Sequence, residues 1–163
     1  YIDITPDNPA DFGGVENFQL GAGPTLKNGQ LVLQSNDQQL ANTPEYGRTT
    51  LSIPQGKTDT QYIQNLQAEA TNLNQLNIPY NAFPDNKPGT ANSNTFTTTI
   101  IEKSGSKAPA ANLPQSVTAP GYGQVYKPST SSTNQNRASQ STRQGAFSKF
   151  FSKIKSTFSR RNR

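Results

Sequence analysis

All ten acidic residues of this 163-residue chain lie at or before Glu102, and nothing after that position offsets eleven Lys and Arg. Residues 1–102 therefore carry four basic against ten acidic side chains, a net of −6, whereas residues 103–163 carry eleven against none, +11. So sharp a division describes two bodies of opposite sign rather than one evenly charged globule. The acidic part must supply the core. With 30% hydrophobic residues overall, twelve Gly and twelve Pro, that core has to be small, and part of the chain has too few apolar groups to offset its conformational entropy. The basic part seeks an anionic surface: acidic lipid, nucleic acid or the acidic part of its own chain.

Within the acidic part, the apolar period changes once. "YIDIT" alternates Ile2 and Ile4 with polar neighbours and is closed by Pro6, which predicts a short strand. "PDNPADFGG" is turn chemistry. "NFQLGAG" and "QLVLQS" predict two strands joined through Asn28-Gly29, a pair that tolerates the positive φ of a tight hairpin. "GRTTLSI" is β-branched enough for a further strand ending at Pro54. From Thr58 the period becomes helical: Thr58-x-x-Gln61 fits a capping box, and Tyr62, Ile63, Leu66, Ala70 and Leu73 recur on one face to about Leu76. Three prolines in "NIPYNAFPDNKPG" then open a loop.

The segment "NSNTFTTTIIEKSG" carries conflicting signals. Its threonines and isoleucines are β-branched and favour a strand. Its flanks favour a helix: Asn92, Ser93 or Asn94 can cap free N–H groups, Phe96, Ile100 and Ile101 share a helical face, and Gly105 stands where a left-handed residue ends a helix.

With no Cys and no His, the chain has no thiolate nucleophile, no imidazole base and none of the usual zinc ligand sets, so no metal or cofactor is expected. "GAGP" lacks the strand–glycine–helix context of a phosphate loop, and carboxylate pairs such as Asp7/Asp11 or Asp85/Glu102 have the spacing of solvated side chains. There is no apolar run near 18 residues and no signal-peptide pattern. The absence of any Met and a start at Tyr1 point to a processed form or a fragment.

Beyond Gly105 the chain is rich in Ser, Thr, Pro, Gln and Asn and reads as linker. "LPQSVTAPGYGQVY" is the exception, since Leu113, Val117, Tyr122, Val125 and Tyr126 suit an irregular strap across the domain. The last segment differs in kind. Phe147, Phe150, Phe151, Ile154 and Phe158 fall at i, i+3, i+4, i+7 and i+11, one stripe at about 100° per residue, with Lys149, Lys153 and Arg160 opposite and Lys155 and Arg161 adding positive charge. A basic amphipathic helix over 146–160 is expected. It suits an acidic membrane interface, with docking on the acidic domain, nucleic acid or a cognate protein as alternative partners. Basic C-termini also resemble translocation signals of exported bacterial effectors.

"YIDITPDNPADFGG", "FQLGAGP", "TDTQYIQNL", "PYNAFP", "NSNTF…IIEKSG" and "PGY" resemble, in that order, a domain near the C-termini of large secreted bacterial haemagglutinin-like and polymorphic-toxin proteins. The resemblance covers roughly residues 1–123 and implies a secreted or translocated bacterial protein. More distantly, the order of elements is similar to the circularly permuted papain-like fold of lecithin:retinol acyltransferase-like proteins and peptidoglycan amidases. In that fold a Cys at a helix N-terminus is the nucleophile. Ser93 matches the place, and the base, a His, would fall at or before Tyr1.

Three expectations for Asn92, Ser93 and Asn94 follow: a helix cap, a Ser93 nucleophile completed from upstream, or a ligand site at an anion-friendly helix start. The expected architecture is α+β, a small antiparallel sheet with two helices over 1–123, then a disordered linker over 124–145, then the amphipathic helix and a tail to Arg163. The expected role is that of a toxin- or effector-associated module acting at an anionic surface without catalysis of its own, or else an amide or acyl hydrolase or acyltransferase.

Overall fold

A computed structural model describes residues 1–36, 49–85, 87–110 and 118–129. The expected linker beyond 129 and the stripe from Phe147 to Phe158 lie outside the described residues, as do Leu113 and Val117.

The described chain is α+β. Strands β1 (Ile2–Ile4), β2 (Phe18–Lys27) and β3 (Gln30–Asn36) form an antiparallel sheet in sequence order, and helices α1 (Asp59–Gln75) and α2 (Ser93–Lys103) follow. The long β2 serves both neighbours. Its first residues pair with β1, Ile2 opposite Leu20 and Ile4 opposite Phe18, while Gly21 to Lys27 pair with β3. The hairpin turns at Asn28 (φ 51°) and Gly29 (φ 76°), the two positive φ angles that a type I′ turn requires and that Asn-Gly supplies at least cost.

Between β1 and β2 a single 3₁₀ turn, Pro9–Phe12, is capped by Asn8 and buries Phe12 against Phe18, with ring centroids 5.9 Å apart. Helix α1 starts where the capping box predicts. The Thr58 hydroxyl accepts from Gln61 N, and Gln61 Oε1 accepts from Thr58 N at 3.0 Å. Its five periodic apolar residues, Tyr62, Ile63, Leu66, Ala70 and Leu73, are all buried. They meet Ile2, Ile4, Leu20, Ala22 and Leu33 of the sheet and Phe96, Ile100 and Ile101 of α2 in one hydrophobic core.

The expected strand in "GRTTLSI" is a correction: Thr49 to Ile53 form no strand. The outer edge of β3 is instead taken by Ile78 to Tyr80, through Leu33 N to Ile78 O at 2.8 Å and Tyr80 N to Leu31 O at 2.9 Å. Leu51 packs on the core, and Ser52 offers its carbonyl to the Ser106 hydroxyl at 2.7 Å. β-Branched composition was outweighed by a sheet edge that another segment had already satisfied.

The Thr-rich segment is helical. Helix α2 ends in a Schellman arrangement, Ser106 N donating to Ile101 O (3.2 Å) and Gly105 N to Glu102 O (3.1 Å), with Gly105 at φ 96°. Lys57 Nζ completes the end by donating to Ser104 O at 2.7 Å. Among the described residues no helix is long and apolar enough to cross a membrane.

Candidate functional site

The start of α2 is delivered by the sheet. Tyr80 bridges to Ala91, with Asn81 N donating to Ala91 O at 2.9 Å and Ala91 N to Pro79 O at 3.2 Å. The next residue, Asn92, thus begins at a fixed place on the extended sheet edge and caps the helix in extended conformation. Its Oδ1 accepts from Thr95 N at 3.0 Å and from Thr95 Oγ1 at 3.2 Å. Its Nδ2 donates to Ala82 O at 3.0 Å and Pro120 O at 2.9 Å. Buried Asn92 therefore ties the helix start to the preceding loop and to a segment 28 residues later.

Asn94 repeats half of this, donating from Nδ2 to Pro120 O at 3.0 Å. Ser93, between them, is half-buried, and no hydrogen bond among the described residues engages its hydroxyl. The sequence brought these three residues to one place, and the structure gives two of them a bracket of scaffold bonds.

The segment that they hold is the expected strap. From Pro120 to Lys127 it crosses α2 and is held largely by its main chain. Gly121 N donates to Asp85 Oδ1 (2.8 Å), Gly123 N to Thr98 Oγ1 (3.1 Å) and Tyr126 N to Thr99 Oγ1 (2.8 Å), while Lys127 O accepts from Gly89 N (2.8 Å). Contacts with the domain thus continue past residue 123, through Tyr126 to Lys127.

This explains an oddity of α2, whose buried face holds Thr95, Thr98 and Thr99 where apolar residues are usual. The three fall at i, i+3 and i+4, on one side of the helix, and their hydroxyls meet the strap. Thr99 also donates back to Thr95 O at 2.6 Å, the in-helix bond open to a threonine. Thr97 has no such role, and its Oγ1 is buried with no hydrogen-bond partner among the described residues.

Asp85 was expected to be solvated. It is exposed, but its Oδ1 also accepts from Gln124 Nε2 at 2.8 Å, so it pins the strap from the side opposite the two asparagines. Neither Asp85 nor the threonines could be picked out from spacing, because their partners lie 25 to 39 residues away. The one local signal was the run of Thr within a helical apolar period. Glu102, the other member of that pair, accepts from Ala108 N at 2.9 Å.

Burial raises the phenols of Tyr122 and Tyr126 above their ordinary value. Tyr122 donates its hydroxyl to Pro109 O at 2.7 Å, which joins the strap to the segment leaving α2. Among the described residues no group of three or more carboxylates is placed to hold a metal ion. The arrangement thus presents amide donors, a carboxylate and hydroxyls around one main-chain segment, chemistry suited to gripping a peptide. Comparison with protein-family models, curated proteins and solved structures finds no match to the chain.

Proposed function

We propose that the chain is a secreted bacterial toxin- or effector-associated module, a non-catalytic unit of the permuted papain-like type whose basic C-terminal segment binds an acidic membrane surface. The observation that carries this is the charge division, −6 over residues 1–102 and +11 over 103–163, with the positive part ending in a four-Phe, one-Ile stripe at helical spacing. Phe side chains enter the acyl boundary, and each Lys or Arg near an anionic leaflet adds about 1 kcal/mol. Support for a non-catalytic α2 start comes from Asn92, whose side-chain donors and acceptor are all engaged by its own chain.

Co-sedimentation with vesicles of phosphatidylcholine and phosphatidylserine tests the reading. The full chain pellets with acidic vesicles in a salt-sensitive manner, and a chain lacking residues 145–163 stays in solution. Equal pelleting of the two chains overturns it. Tight retention on an oligonucleotide with no vesicle binding moves the tail to the nucleic-acid alternative.

One observation favours a second reading, an amide or acyl hydrolase in which Ser93 attacks and an upstream His is the base. The Ser93 hydroxyl stands at a helix start without a hydrogen bond among the described residues. An upstream-extended chain that hydrolyses an amide or ester, and loses that activity on Ser93→Ala, would establish it.

A further inference from the structure

The strap is seated as a bound peptide would be. At the Pro120–Gly121 peptide unit, both polar groups are gripped: the Pro120 carbonyl by Asn92 Nδ2 (2.9 Å) and Asn94 Nδ2 (3.0 Å), the Gly121 N–H by Asp85 Oδ1 (2.8 Å). Downstream, Thr98 and Thr99 take two further main-chain N–H groups. Selectivity resides at Gly121. Its φ is +76°, and a Cβ there would sit 2.8 Å from Asn92 Oδ1 and from Pro84 Cγ and closer still to Thr95 Oγ1, so no side chain fits.

The strap is also dispensable to the core. Every buried hydrophobic residue among the described ones lies at or before Ile101, and of the strap only Tyr126, partly buried, packs against that cluster. A segment attached through main-chain hydrogen bonds at the periphery opens at far lower cost than the core does. What it leaves behind is a set of oriented donors and acceptors: two asparagine amides and three threonine hydroxyls on a rigid helix and its cap, with the Asp85 carboxylate on the loop beside them.

We propose that this face of α2, with the loop bearing Asp85, is a binding site for a peptide that turns at Pro-Gly, as Tyr122 N to Ala119 O (3.0 Å) makes the strap do, filled in cis by residues 118–129 and open to a Pro-Gly segment supplied in trans. Recognition through the main chain gives affinity, and the position that admits only glycine gives specificity. The tethered strap competes at an effective concentration on the order of millimolar, so a trans peptide binds well only where the cis strap is disabled.

Gly121→Ala in the full chain disables it, since the added methyl meets Asn92, Thr95 and Pro84. A synthetic peptide of residues 118–129 is then added to that variant, with the same peptide carrying Ala for Gly at 121 as control. The native peptide raises the midpoint of thermal unfolding by about 4 °C at tenfold its Kd, and the control does not. Introducing Asn94→Ala into the same chain weakens the native peptide about fivefold, as loss of one donor to its carbonyl requires. If Gly121→Ala alone fails to fold, the peptide is supplied during refolding and recovery of helical circular dichroism is the readout. No stabilisation or recovery at millimolar peptide overturns the proposal, and so does an equal effect of the control peptide.

Discussion

The carboxamide of Asn92 donates to the carbonyl of Pro120 at 2.9 Å while accepting from Thr95 N at 3.0 Å, so one side chain caps a helix and anchors a segment 28 residues downstream. Asn92→Ala removes the cap, worth about 1 kcal/mol, and strips a donor from two carbonyls, those of Ala82 and Pro120, at about 1 kcal/mol each. The expected loss is about 2–3 kcal/mol in urea unfolding. Ser93→Ala, one residue on, is expected to stay within about 0.5 kcal/mol of the native chain, because its hydroxyl holds nothing among the described residues. Equal losses in the two variants would mean that the cap does not sit at Asn92.

Two neighbouring threonines should respond with opposite sign to the same isosteric change. Thr99→Val leaves Tyr126 N–H without its acceptor at 2.8 Å and costs about 1–3 kcal/mol. Thr97→Val removes a hydroxyl that is buried with no partner among the described residues, and so stabilises by about 1 kcal/mol. Chemical denaturation of the two variants checks both signs in one experiment, and a destabilised Thr97→Val shows that its hydroxyl has found a partner.

Much of the fold could be read from the sequence because its signals are local. The Thr58–Gln61 capping box, the Asn28-Gly29 turn and the 3.6-residue period from Tyr62 to Leu73 each span a few residues, and each stands where it was expected. Thr49 to Ile53 failed as a strand because Ile78 to Tyr80 occupy the edge of β3, a competition that no local propensity records. The helical outcome for Thr95 to Ile101 rests on Asn92 and Gly105 at its ends, which outweighed the β preference of the residues between them. At the site, Asn92 was visible as a cap, whereas its second bond, to Pro120, depends on the strap. Asp85, Thr98 and Thr99 gain their roles only from that segment, so spacing in the first hundred residues could not reveal them.

Alkaline pH should loosen the molecule through its tyrosines. Burial raises the phenols of Tyr62, Tyr122 and Tyr126, and for Tyr62 the nearby Ser106 hydroxyl offsets part of the effect without a hydrogen bond of normal geometry. A phenol whose folded pKa exceeds its unfolded value of about 10 holds its proton more tightly when folded. The stability it contributes is complete below about pH 10 and is lost as pH climbs through the folded pKa values. Absorbance at 295 nm should show these phenols ionising above pH 10, with the urea midpoint falling over the same interval. A midpoint that is flat up to pH 11.5 contradicts the burial of these hydroxyls.

The far end of α2 offers a test of charge. Gly105 N and Ser106 N satisfy the carbonyls of Glu102 and Ile101, and Lys57 Nζ reaches Ser104 O at 2.7 Å, placing a cation at the negative end of the helix dipole. Lys57→Met keeps most of the aliphatic stem and removes both the donor and the charge. A charge-assisted bond of this kind is worth about 1.5–3 kcal/mol, and the part-buried setting of this one points to the lower end of that range. Lys57→Arg should retain part of the stability, because the charge remains near the same carbonyl while the planar head fits it less well. Urea unfolding at low and high salt separates the two contributions: the hydrogen bond persists in 1 M salt, whereas the dipole interaction is screened. A Lys57→Met chain as stable as the native one at low salt would show that the Schellman turn at Gly105 ends the helix unaided.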